Sequence, residues 1–539
     1  MGIRVTALCF VVATASACTQ SGSLDLQLSL PDNADLAPTG MTSVTVVASS
    51  PEIGTLSSTS ILTGRTFSSN NLPIANNVQI DVLFHDVSNR LVGVGEAPTL
   101  TDIVGDKNTT VQIPVRRPFV YASSGTKLYT FDPTLDPRTP KFQGQLAGVT
   151  APQVAISVGG DRLVVASTNQ LQIVDTATHT VTGNPISIPG MIKDAAPIPG
   201  SHRVAVAHSA GISIVDIDTG TVTTGGSASV DKVTVGPTLD NRIVAYGLVG
   251  RIAPPAGPLE PCTGTSMLLT VDVDQPDPSA VPAGLGQAVS AIAASPDQPM
   301  LFATEPCTGK VSKVDSLKFT DVATLPRAAL LAVANQRVWA VGSKASVPKC
   351  EDMNANPVTC TASSAISCTA SSNNALAYVS TGANLIMLSI PIDGSTAPTE
   401  IDIPEPRETM VSQDDPGGQH AQVLRALSMQ PIDLVTLPGG QYVSVVTTNT
   451  FFILSLFVGN TEVLPCLSAT TSDWLLIDTA SSSVANRVRT YCYLMPVIAP
   501  PGTIFPKWAC DDPPVGQANA FGDPPGYQPI SVGALFGAR

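Results

Sequence analysis

Between Ala151 and Thr223 the chain spells one short-strand unit twice. In the first copy Val154, Ile156 and Val158 alternate, and Gly159-Gly160-Asp161 turns the chain into Leu163-Val164-Val165-Ala166. Leu171-Gln172-Ile173-Val174-Asp175 follows, and Thr176 to Val181 closes the unit. The second copy runs Arg203-Val204-Ala205-Val206-Ala207, turns at Ser209 to Gly211, and continues Ile212-Ser213-Ile214-Val215-Asp216 to Thr221-Val222. A unit this small cannot hide its own apolar face and must stack on neighbours. The Asp that ends each third strand recurs at Asp132, Asp175, Asp216, Asp272 and Asp315, in steps of 43, 41, 56 and 43 residues. That period, with several short strands per unit, predicts the blades of a β-propeller. The long step holds a Pro- and Gly-rich insertion, Arg251 to Pro261, with the composition of a loop. Each marker Asp is expected to accept hydrogen bonds from the turn that follows it.

The segment Ile173-Val174-Asp175-Thr176-Ala177-Thr178-His179-Thr180-Val181 resembles the core of YVTN-type (WD40-like) propeller repeats, and Ile214 to Val222 is similar. Ser295-Pro296-Asp297 followed by Met300-Leu301-Phe302-Ala303 resembles the other half of that repeat, with Gln298 where Gly is usual. The resemblance covers residues 117 to 325 well and the remainder poorly. It implies a fold and no particular reaction, because propellers host many functions.

Before the repeats lies a different pattern. Met1 to Ala17 reads as a secretory signal: Arg4 supplies the positive end, and the apolar run from Val5 to Ala13 is too short to span a bilayer as a helix. Ala15-Ser16-Ala17 fits ordinary signal peptidase, whereas Ala15-Ser16-Ala17-Cys18 resembles a bacterial lipobox. Lipidation at Cys18 leaves eight cysteines, an even number that can all pair. By resemblance to Gram-negative lipoproteins, Thr19 after the Cys implies the outer membrane of the cell envelope. Residues 18–23 form a tether. From Leu24 to Arg116, alternation at Leu24/Leu26/Leu28/Leu30, Val44/Val46/Ala48 and Val78/Ile80/Val82/Phe84, with strands at Leu91 to Gly95 and Val111 to Val115, predicts an immunoglobulin- or transthyretin-like β-sandwich. Its expected role is a spacer between membrane and propeller.

The propeller is expected over 117–497, with seven blades, and a Pro/Gly-rich tail over 498–539 wraps the surface. A seventh blade is read from Ile432 to Leu456, and Thr396 to Leu424 reads as a long acidic loop. The fold class is therefore all-β, a sandwich followed by a propeller. The disulfide candidates are Cys262, Cys307, Cys350, Cys360, Cys368, Cys466, Cys492 and Cys510. Glu260-Pro261-Cys262-Thr263-Gly264 recurs as Glu305-Pro306-Cys307-Thr308-Gly309, on the same side of neighbouring blades, so Cys262 is expected to pair with Cys307. Two of Cys350, Cys360 and Cys368 pair locally, the third reaches the tail at Cys510, and Cys466 joins Cys492; other connectivities stay open. The spacings lack the tight knuckles of a zinc site, and an exported compartment favours disulfides.

Charged residues are only 13% of the chain, and the net charge is −14. An acidic chain without a basic cluster excludes nucleic acid as a partner. Among five His, His179 reads as a surface turn residue, and His202 and His208 as rim residues on one side of the strand between them. Asp272 to Asp277 and Asp414-Asp415-Pro416-Gly417-Gly418 read as solvated turns in preference to calcium loops. There is no G-x-S-x-G elbow and no phosphate loop. No catalytic residue, cofactor or metal is assigned. The function expected is a lipid-anchored, non-catalytic binding or scaffold module for a protein or glycan. The alternative is a lactonase-like propeller hydrolase, which would need His, Arg and carboxylates at the channel mouth.

Overall fold

The computed structural model describes residues 21–537 except 65, 106, 125–126, 132–141, 150–151, 153, 255–261, 344–349, 352–356, 359–384, 404–418, 459–460, 491–492, 500–502 and 510–532. The fold is almost entirely β. Residues 21–116 form eight strands: β1 Ser21–Ser29, β2 Ser43–Ser50, β3 Gly54–Ile61, β4 Thr66–Pro73, β5 Ala75–His85, β6 Leu91–Glu96, β7 Thr101–Ile103 and β8 Asn108–Arg116. They pair in the order β3-β2-β5-β6-β8-β1-β4, with β7 on β5 and β1 parallel to β8. The alternation seen in the sequence is the inside-outside alternation of strands. Leu24, Leu26, Val78, Ile80, Val82 and Phe84 are all fully buried in one apolar cluster shared by β1, β2, β5 and β8.

After Arg116 the chain builds four-stranded antiparallel sheets, seven of them among the described residues. The second, Val154–Val158, Arg162–Ser167, Gln170–Asp175 and Thr180–Ser187, shows the design. Its innermost strand is buried at every position, because neighbouring sheets cover both of its faces, whereas its outermost strand is mostly exposed. The third sheet runs from Ile192–Pro197 to Thr221–Gly225, the fourth from Lys232–Pro237 to Ala283–Gly284, and the fifth from Ala291–Ala294 to Lys318–Thr324. The sixth comprises Leu330–Ala334, Arg337–Ser343, Leu385–Pro391 and Thr399–Ile403. Its Trp339 is fully buried and donates its indole N–H to the Ala334 carbonyl at 3.1 Å.

The innermost strands of the second to seventh sheets touch in sequence order, and the C-terminal strand Gly533–Gly537 closes the circle. That strand pairs with Val120–Ser124, completing the first sheet, and contacts the innermost strands of the second and seventh. The ring is a β-propeller. The tail expected to wrap over the surface thus returns to the ring: Gly533–Gly537 supplies a missing inner strand, and Tyr493–Ala499 pairs with Thr503–Ala509.

Sheet seven departs from the sequence reading. Its strands are Gln419–Thr436, Tyr442–Val458, Thr461–Asp478 and Ser483–Thr490. Phe451 to Leu454 continue the second strand and do not start a third, because the register with Thr461–Asp478 runs unbroken past them. Strands of 17 and 18 residues reach about 55 Å, well beyond the five- or six-residue strands of the second sheet. The expected acidic loop is likewise divided. Thr399–Ile403 is the outer strand of sheet six, and Gln419 onward belongs to sheet seven.

Residues 21–116 are not held away from the ring. They sit on one of its faces, against the turns that join the first and second strands of sheets two, three, five, six and seven. Val47, Leu83, Leu91 and Val94 pack against Leu437, Tyr442 and Leu476 of sheet seven. Thr55 donates to Asp297 Oδ2 at 2.8 Å in the corresponding turn of sheet five. The spacer of the sequence reading is a cap, because its apolar β2, β5 and β6 residues are buried by the ring.

Candidate functional site

The cap turns the mouth of the ring into a chamber. A cavity of about 510 Å³ lies between the two, lined by Glu52, Asp81, Glu96 and Asn77 of the cap and by Arg242 and Asn335 of the ring. A second cavity of about 210 Å³ follows the ring axis below it, lined by Asp194, Lys232, Thr234 and Leu331. Pro197, Pro199, Pro296 and Thr436 border both, so the two lie end to end. In the axial cavity Lys232 pairs with Asp194 at 3.4 Å, and Asp194 also accepts the Val233 N–H at 3.0 Å. Arg242 is held by Asp240 at 2.6 Å and Asp272 at 3.0 Å. Among the described residues, neither cavity is lined by His or Cys.

Two glycine turns receive the cap. Gly160, with φ +72°, leaves so little room that a Cβ would lie 2.8 Å from the Glu96 carbonyl oxygen. Gly200, with φ +64°, takes the Leu100 side chain into the space a Cβ would fill. Close approach and left-handed backbone both require glycine at these positions. Beside them Arg116, only 3% exposed, donates to Ser157 Oγ at 2.7 Å and ties the end of β8 to sheet two.

The histidines take other places than the sequence suggested. His202 lies in the turn before the second strand of sheet three, on the capped side. Its Nδ1 is 2.7 Å from Asp218 Oδ2, and its Nε2 is 3.0 Å from Asp161 Oδ1, an ion-pair distance off the line of a hydrogen bond. Asp161, then Asp218, raise the imidazolium pKa to about 9 against the effect of burial. His208 ends the same strand at the opposite side of the ring and is fully buried, its Nε2 2.9 Å from Ser213 Oγ. Burial lowers its pKa. The two lie at opposite ends of one strand, which runs from the capped face of the ring to the open one. His179 is not a free surface residue either. It packs edge-on against Phe119 and Tyr121, and burial, followed by the Arg116 charge, lowers its pKa to about 4.

Three of the repeat Asp residues form their turns through backbone N–H groups, whereas Asp315 accepts only the Ser316 hydroxyl, at 3.1 Å, before a turn with positive φ at Ser316 and Leu317. Asp175 Oδ1 accepts the N–H groups of Ala177 and Thr178, Asp216 those of Asp218 and Thr219, and Asp272 those of Asp274 and Gln275. Asp478 does the same with Ala480 and Ser481 and marks the third strand of sheet seven. Its signal, Leu476-Ile477-Asp478-Thr479, matches Ile173-Val174-Asp175-Thr176 of sheet two. Gln298, the departure from the repeat pattern, donates to Gln336 at 2.6 Å and links sheets five and six. Asp132 and Asp414-Asp415 lie outside the described residues.

The opposite face carries the cross-link. Cys262 and Cys307 form a disulfide between the second-to-third-strand loops of sheets four and five. Cys350 and Cys466 lie in described strands whose side chains are not described, and Cys18, Cys360, Cys368, Cys492 and Cys510 lie outside the described residues. On this face Lys193 pairs with Asp231 at 2.6 Å, Asp231 accepts the Arg251 N–H at 2.9 Å, and Arg251 Nε donates to the Ser290 carbonyl at 2.7 Å. This chain of contacts binds sheets three, four and five. The interrupted segment of sheet six, between Ser343 and Leu385, leaves the ring on the same side.

No family profile and no curated protein sequence matches the chain. Among solved structures, the β-propeller domain of Myceliophteria thermophila Cps50 (Swd1) is similar, with 11% identity, 59% of this chain and 86% of that chain covered, and a TM-score of 0.34. The propeller assignment rests on the closed order of sheets described above. Among the described residues no group of three or more His, Cys, Asp or Glu is placed to hold a metal ion, and no helix is long and apolar enough to cross a membrane.

Proposed function

We propose that the chain is an envelope-tethered binding module whose uncapped face docks a partner protein. One observation carries this reading. The cap covers one face of the ring, while the Cys262–Cys307 disulfide and the strand ends Ser343 and Leu385 of sheet six lie on the other. Binding commonly resides on loops held by a rigid scaffold. We count seven blades, the first closed by Gly533–Gly537, and read the cap as a β-sandwich of immunoglobulin or transthyretin type. A lipid at Cys18, only a few residues before β1, would anchor the molecule at its capped side and leave the opposite face turned outward. Met191, 50% exposed beside Lys193, is on that face.

Capture of partners from a membrane fraction tests the proposal. The oxidised protein is expected to retain a specific protein partner. Met191→Asp with Lys193→Glu is expected to lose it, and Val87→Asp on the cap to keep it. Capture of no specific partner by soluble, oxidised protein contradicts the reading. A glycan partner would appear as capture that survives protease treatment of the fraction and fails after glycan removal. The hydrolase alternative draws on Asp81, Glu96 and Arg242 at the chamber. It predicts turnover of lactone or ester substrates that Glu96→Gln abolishes.

A further inference from the structure

Two acidic side chains face each other where the cap meets the ring. Asp81 of β5 and Glu96 of β6 are direct cross-strand partners, and both line the chamber. Like charges in such positions repel. Each also touches a ring turn. Asp81 Oδ2 accepts the Gly439 N–H at 3.0 Å, and the Glu96 backbone lies against Gly160. Gln79 Nε2 donates to the other Asp81 oxygen at 3.3 Å, whereas Glu96 has no side-chain hydrogen bond among the described residues. The charged groups facing Glu96 are Asp81 on β5, Arg116 on β8, Asp161 on the turn of sheet two and His202 on the turn of sheet three. Asp161 is in turn paired with Arg162 at 3.2 Å, and Asp218 holds His202 from beyond. Glu52, Arg242 and Asp274 line the rest of the chamber. Over sheet seven the cap is held by the apolar cluster of Val47, Leu83 and Leu437 together with the Asp81–Gly439 hydrogen bond.

We propose that the Asp81–Glu96 pair, with His202 and Asp161 beneath it, is a proton-sensitive grip by which the cap closes the axial chamber in acid and loosens over sheets two and three as pH rises. Burial raises Asp81 to about 6, and burial with the Asp81 charge raises Glu96 well above the usual carboxylate range. A seated cap therefore keeps protons that a released cap gives up. For a carboxyl with a raised pKa, the contribution to seating is complete below the ordinary carboxylate range. It is lost as pH climbs through about 6 for Asp81 and higher for Glu96. His202, raised to about 9 by Asp161 and Asp218 within the ring, stays charged through this range and places a fixed positive charge beneath the pair. The apolar contact with sheet seven does not titrate and keeps the cap attached.

Hydrogen exchange read by mass spectrometry on the full chain at pH 5 and pH 8.5, corrected for intrinsic exchange, tests the proposal. A two-unit pKa rise is about a hundredfold in the seating equilibrium. Peptides spanning the Gly159-Gly160-Asp161 turn are expected to lose about ten- to hundredfold protection at the higher pH, while the uncapped turn at Ser209-Ala210 holds constant. Glu96→Gln removes the charge and keeps the shape, and is expected to retain the protection at pH 8.5. Asp81→Asn is the second variant, with the same outcome, should Glu96→Gln fail to fold. Equal protection of the capped turn at the two pH values overturns the proposal. So does equal loss on both faces, or a full pH response in both charge-removing variants.

Discussion

The two faces of the ring are made of different turns and are held by different chemistry. On the capped face, glycine turns and short polar side chains accept β-strands from outside the ring, and titratable groups are gathered at the seam. On the uncapped face, the sheets are tied to each other by Cys262–Cys307 and by the Lys193–Asp231–Arg251 chain. One face has given its surface to the cap and gained a chamber. The other ties the sheets of the ring to one another. A ring of repeats needs only its neighbours for stability. What differs between the faces is therefore the place to seek function.

Breaking the uncapped face should have the largest effect on the ring. The disulfide closes a loop of 45 residues, and Cys262→Ser with Cys307→Ser should lower unfolding stability by about 4 kcal/mol in denaturant titration. The cap should be unaffected until the ring melts. On the capped face, Gly200→Val combines a left-handed backbone with a collision against Leu100, and about 2–3 kcal/mol is expected to be lost. Exchange protection should fall there first. His179 sharpens the contrast between ring interior and seam. Its lowered pKa makes it a stabilising group above about 6.5, with the contribution lost as pH falls through about 4. His179→Gln should flatten the acid limb of the stability profile by about 2 kcal/mol, and its sign is opposite to that of the Asp81–Glu96 seam. The smallest effect belongs to the repeat turns. Asp216→Ala removes the acceptor for two backbone N–H groups and should cost about 1 kcal/mol, with the same value at Asp478.

Much of the ring was legible because a stacked blade repeats its strand period and its turn Asp. The boundaries of sheets two to five follow the spacing from Asp175 to Asp315, with the insertion after Arg251 placed as a loop. The regularity failed where strands outgrew the blade. The apolar run Phe451 to Leu454 suits a separate strand in pattern, and only the pairing with Thr461–Asp478 shows it to be a continuation. The closing strand Gly533–Gly537 is short and more than 400 positions from its partner, so no local signal marks it. The seam was least legible. Asp81 and Glu96 read as the polar positions of two half-buried strands, and nothing in their spacing shows that a second body covers them. His202 and His208 show the same limit. Six residues in a strand look like one neighbourhood, yet they separate the capped end from the open one.

The central claim is that residues 21–116 are seated on the ring and do not stand off from it. Small-angle X-ray scattering of the full chain tests it directly. A single compact body of 539 residues should give a radius of gyration near about 24 Å and a distance distribution with one maximum. A markedly larger radius with a second maximum, the mark of two bodies joined by a tether, would contradict it.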